Sequence, residues 1–116
     1  MMRVLVTGVA GFIGSHVAEI LLKEGDSVIG VDNLSGGCLE NLRECLHSSS
    51  FKFVRLDVRE IEAIDQIVVD YHVEAIINQA ALVGVEESWD KPSLYMQVNA
   101  DATRSLIKLA ASHSVD

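Results

Sequence analysis

The sequence predicts an α/β fold: a doubly wound parallel sheet with strand order 3-2-1-4, in one domain over residues 1–116. Three observations predict it. Short apolar runs alternate with stretches of helical periodicity. A glycine cluster, Gly8, Gly11 and Gly14, stands between the first run and the first helical stretch. The length, 116 residues, suits a single core.

The elements follow in order. Met2 to Thr7 reads as a strand buried on both faces. Ile13, Val17, Ile20 and Leu21 share one face of a first helix, which Gly25 ends. Ser27 to Val31 is a second strand, stopped by Asp32 and Asn33. Gly36-Gly37 marks a loop. Leu39 to Leu46 suits a short helix with Leu39, Leu42 and Leu46 on one side. Phe51 to Leu56 is a third strand. Ile61, Ile64, Ile67, Val68 and Tyr71 mark a helix, and Ala75 to Ile77 the centre of a fourth strand. Leu82 to Lys91 reads as a loop containing Trp89. Pro92 opens a last helix with Leu94, Val98, Ala102, Leu106 and Ala110 on one face.

Charge narrows the function. Asp plus Glu number 17 against 9 Lys plus Arg, a net charge of −8. That balance argues against nucleic-acid and anionic-membrane partners, which need a basic footprint. No secretory leader or membrane-spanning run is recognisable. Cys38 and Cys45, with only His47 nearby, read as reduced thiols of a cytoplasmic protein and not as metal ligands. His16, His47, His72 and His113 read as surface residues, Glu86-Glu87 as a solvated pair, and Trp89 as loop packing.

The glycines carry the chemistry. Their spacing is G-x-x-G-x-x-G, with Val9 where the G-x-G-x-x-G fingerprint has a glycine. A sharp turn out of a strand, close approach of backbone to a pyrophosphate, and tight helix packing each need glycine there. The following helix offers free amides and a positive dipole end to phosphates. This is the Rossmann-type arrangement. Asp32, about 20 residues past the loop, can accept from an adenosine ribose and would repel a 2′-phosphate, which favours NAD over NADP. Asp57 can reach an adenine amino group or cap the next helix; both readings stand. Small residues in Asn78-Gln79-Ala80-Ala81 let the backbone approach the middle of a dinucleotide.

Together these residues resemble the extended short-chain dehydrogenase/reductase family. The branch is that of the NAD-dependent nucleotide-sugar epimerases and dehydratases, of the UDP-glucose 4-epimerase kind. The resemblance rests on VTGVAGFIGSHV, VDNLSGG with ENL, LDV, NQAALVGVEES and KPSLYMQVNADAT, which run over essentially the whole chain. It implies that Gly8, Gly11, Phe12, Ile13 and Gly14 form the pyrophosphate loop. Asp32 and Asn33, with Ser35 and Gly36, would meet the ribose. Asp57 and Val58 would meet the adenine. Gln79, Ala80, Ala81 and Val83 would border the nicotinamide, and Asn99 would order the active site. Gln79 departs from the aliphatic or aromatic residue usual in that loop.

The family's acid/base pair, Tyr-x-x-x-Lys, is absent. Ala75 and Asn99 stand four residues after Tyr71 and Tyr95; Glu19, Ser48, Glu87 and Arg104 stand four before the lysines. By the family's layout the chain stops before strand five, so the expectation is a truncated sheet without catalytic residues or substrate domain. The sequence therefore implies an NAD-binding portion of such an enzyme, inactive alone, whose nucleotide-sugar substrate belongs to the full-length parent. A stand-alone, non-catalytic dinucleotide-binding or sensor module is the alternative, and a self-associating fragment that binds nothing a third reading. An unpaired fourth strand or the last helix would favour a homo-oligomer.

Overall fold

A computed structural model describes residues 1–116. Four strands form one parallel sheet: β1 (Arg3–Thr7), β2 (Ser27–Asp32), β3 (Phe51–Arg55) and β4 (Ala75–Asn78), in the order β3-β2-β1-β4. The expected order holds. β1 pairs with β2 from Arg3 against Ser27 to Thr7 against Val31, and with β4 from Val4 against Ala75 to Thr7 against Asn78.

The helices lie in two layers because β1 buries both of its faces. Val4 and Val6 meet α1 (Phe12–Lys23) and α2 (Arg43–Leu46), in a core with Val9, Ala18, Leu42 and Cys45. Leu5 on the opposite face joins Ile29 and Val31 beneath α3 (Ile61–Asp70) and α6 (Ala102–Ser112). Between β4 and α6 lie α4 (Val85–Asp90), α5 (Pro92–Met96) and a π-helical turn, Gln97–Asp101. From Pro92 at its first turn to Ser112 this last helical run is unbroken.

Several expectations need correction. In α1 the buried residues are Gly14, Ser15 and Ala18, while Ile13 and Ile20 are exposed. Val17 and Leu21 of the expected face do pack against this core, but the fully buried contact is made by the small residues, which let the helix lie close on the sheet. In the short helical stretch, a 3₁₀ turn (Leu39–Leu42) followed by α2, Leu42 and Cys45 are buried and Leu39 and Leu46 exposed. The segment read as a loop contains α4, none of whose residues is buried. Trp89 there is 82% exposed and packs no loop. His113 pairs with Asp65 and is not simply solvated. The outer edge of β4 is also not wholly open. Ile76 donates its amide to the Asp116 carbonyl at 2.8 Å, and the Asp116 amide donates to the Glu74 carbonyl at 3.1 Å.

Candidate functional site

In an open parallel sheet, ligands gather where the strand order reverses, beyond the carboxyl ends of the strands. Here that point lies between β1 and β4. A cavity of about 480 Å³ opens there, within the range of small-molecule and cofactor sites. Fifteen of the sixteen expected site residues line it. They include all five of the glycine loop, Asp32, Asn33, Ser35 and Gly36 from the β2 loop, and Asp57 and Val58 after β3. Gln79, Ala80, Ala81 and Val83 close it after β4.

Asn99 is the exception and does not line the cavity. Its side-chain amide accepts from the Leu82 amide and donates to the Leu82 carbonyl, both at 2.8 Å. It holds the β4 loop from behind, as a strand neighbour would.

The glycine loop is built as the sequence implies. Gly8 has φ 62°, in the left-handed region, and a Cβ there would stand 2.6 Å from the Ala80 nitrogen. A Cβ on Gly14 would stand 2.2 Å from the Gly8 carbonyl oxygen, so α1 starts in contact with the turn. The first helical bond runs from the Ser15 amide to the Gly11 carbonyl at 3.0 Å. The amides of Phe12, Ile13 and Gly14 therefore have no acceptor in the chain. They sit at the cavity wall with the positive end of a 12-residue helix behind them.

Asp32 is buried. One oxygen accepts from the Ala10 amide at 2.9 Å and the other from the Leu34 amide at 2.7 Å. It thus ties the glycine loop to the β2 loop, where Leu34 takes φ 64°. Asn33 completes this loop by accepting from the Ser35 amide and donating to Asp57, both at 3.0 Å.

Asp57 does not cap α3, which starts after Glu60 without a side-chain cap. Its carboxylate instead accepts from Arg59 three times: from Nε at 3.0 Å, Nη2 at 2.8 Å and the amide at 2.9 Å. Hydrogen bonding from the Arg59 guanidinium, helped by the Arg59 amide and by Asn33, outweighs partial burial and holds the carboxyl down to about 2.

Several residues in or beneath the cavity make polar contacts that the sequence reading did not assign. Tyr95 accepts from the Gly84 amide at 3.1 Å and donates to Glu87 at 3.3 Å; Lys91 pairs with Glu87 at 3.3 Å. Glu87 is exposed, as expected, but is also engaged by Tyr95 and Lys91. Desolvation and then the Glu87 charge raise the Tyr95 phenol, the reverse of what an acid/base tyrosine needs. Thr7 and Asn78 hydrogen-bond to each other beneath the crevice, and Thr7 Oγ1 also accepts from the Gln79 and Ala80 amides. The alternation of the apolar runs gave no sign of these polar contacts.

Sheet order, glycine turn and crevice define a Rossmann-type α/β unit. The family model described as GDP-mannose 4,6 dehydratase matches residues 5–116, and the chain belongs to that family. It is 40% identical over 116 residues to a UDP-glucuronate 4-epimerase of Thermodesulfobacterium geofontis, covering 96% of this chain and 36% of that protein. It is 38% identical over 109 residues to a UDP-glucose 4-epimerase of Mycolicibacterium smegmatis, covering 94% and 34%. Among solved structures, the Thermus thermophilus UDP-glucose 4-epimerase in complex with NAD superposes with TM-score 0.86 at 36% identity, covering 99% of this chain and 35% of that one. The Thermotoga maritima UDP-glucose 4-epimerase with UDP-glucose gives 0.88 at 33%, covering 98% and 35%. The chain spans about a third of the length of the curated relatives it matches.

Proposed function

We propose that the chain binds NAD along this crevice, as the cofactor-binding part of a nucleotide-sugar epimerase or dehydratase that transfers a hydride at a sugar carbon. The observation that carries this reading is the set of three unpartnered amides, Phe12, Ile13 and Gly14, at the cavity wall. They suit a diphosphate. NAD, when bound, supplies reversible hydride transfer. The residues of this chain bind and orient it. Gly8, Gly11 and Gly14 leave room for the diphosphate, and Asp32 keeps lone pairs for ribose hydroxyls while its charge disfavours a 2′-phosphate. Asp57 and Val58 border the adenine, and the Gln79–Val83 loop the nicotinamide. Calorimetric titration is expected to give saturable binding of NAD and at least about tenfold weaker binding of NADP. Absence of saturable NAD binding would sink the reading.

No Tyr-x-x-x-Lys pair lies within these residues. The 116 residues alone are expected to turn over no nucleotide sugar, and measured epimerase or dehydratase turnover would overturn that. The unpaired thiols, Cys38 and Cys45, suit a reducing, cytoplasmic setting. Homo-oligomer formation is the accompanying proposal, supported by Met96 and Ile107, 59% and 65% exposed on the last helical run. Light scattering is expected to give a mass above that of one chain, lowered by Ile107→Lys. A monodisperse monomer at high concentration counts against it.

A further inference from the structure

The ENL segment, Glu40-Asn41-Leu42, belongs to the family resemblance but has no role in the site described so far. Leu42 is fully buried against the α1 face of the sheet, which fixes the turn in place. The neighbouring Asn41 side chain reaches back 31 residues and donates from Nδ2 to the Ala10 carbonyl at 2.8 Å. The Cys38 amide donates to the same oxygen at 3.1 Å. A Cβ on Gly37 would stand 2.4 Å from that oxygen, so the whole turn is pressed onto it.

Ala10 is the residue before the middle glycine of G-x-x-G-x-x-G. The peptide joining it to Gly11 is held at both ends: its carbonyl by Asn41 and Cys38, and its N–H by the Gly8 carbonyl at 3.1 Å. The preceding peptide is held by Asp32 at the Ala10 amide. These bonds set the direction in which the chain enters α1, and so the aim of the free amides of Phe12, Ile13 and Gly14. Of the side chains that hold the loop, Asp32 lines the cavity, whereas Asn41 does not.

We infer that Asn41 is a positioning residue for diphosphate binding: its amide donor pins the Ala10 carbonyl and thereby aims the amides at the start of α1. The inference rests on the proposed NAD-binding reading. Neither Ala nor Asp at position 41 can donate to that carbonyl, and Asp keeps the shape of Asn while adding charge beside an acceptor.

The test compares the unaltered chain with Asn41→Ala and Asn41→Asp in titrations with NAD, ADP and adenosine. A ³¹P spectrum of bound NAD and a melting curve accompany them. Both variants are expected to bind NAD and ADP about tenfold more weakly. They are expected to keep the adenosine affinity and to shift the bound ³¹P resonances. Equal NAD affinity in all three proteins overturns the inference. An equal loss on adenosine also overturns it, since that reports a loosened fold and not a misaimed loop. If the unaltered chain binds no NAD, the functional reading fails first and takes the inference with it.

Discussion

Gly14 has no room for a methyl group. With its Cβ position 2.2 Å from the Gly8 carbonyl oxygen and 2.9 Å from the Gly8 carbonyl carbon, the only relief is movement of α1 away from the turn. Gly14→Ala is therefore expected to cost about 1–3 kcal/mol in denaturant unfolding and to abolish NAD binding. Asp57 makes a different prediction. Its folded carboxyl lies at about 2, below its ordinary 3.8. The stability this gives is present above pH 4 and is lost as pH falls from there through 2. For a solvent-accessible pair it amounts to about 1 kcal/mol. Arg59→Gln is expected to lower stability above pH 4 and to converge with the unaltered chain near pH 2, measured as unfolding midpoints against pH. Parallel curves over the whole range would count against the assigned role of Arg59.

The run from α5 through the π-helical turn to α6 acts on both loops that close the crevice. From this turn Gln97 accepts from Arg59 at 3.1 Å, on the β3 side, and Asn99 holds Leu82 on the β4 side. Single π turns recur at functional sites because they shift the faces that follow them. Asn99→Ala leaves both Leu82 groups unpaired and is expected to cost about 1–2 kcal/mol. Amide exchange is expected to quicken from Leu82 to Val85 while β1 stays protected; unchanged exchange there would refute the anchoring role. The existence and order of the strands were legible because β1 and β2 are near-continuous apolar runs. The glycine turn was legible because a sharp exit from β1 and a close helix start at Gly8 and Gly14 leave few alternatives; residues such as Ser35, Gly36, Val58 and Val83 were reached only through the family resemblance. Other features had no sequence signal. α4 has six residues with no buried face, and Ile13 and Ile20 are exposed although Val17 and Leu21 of the same apolar face pack. Asn41 and Ala10 are 31 residues apart, a contact that no local period encodes.

At the scale of the molecule, the two cores draw on different parts of the chain. The core beneath α1 and α2 has all of its fully buried members between Val4 and Cys45. The core beneath α3 and α6 needs Val58 to Leu109 laid against Leu5, Ile29 and Val31. A chain emerging from its amino end can therefore close the first core, with the glycine loop, Asp32 and Asn41 in place, while β1 still lacks its neighbour on the β4 side. The glycine-loop and Asp32 end of the crevice would mature before the Gln79–Val83 end exists. In pulse-labelled hydrogen exchange during refolding, amides of β1 that bond to β2 are expected to gain protection before those of β4. Simultaneous protection would show that the second core must form for the first to hold. The crevice then has a direction in time as well as in space, assembled from the glycine loop outward.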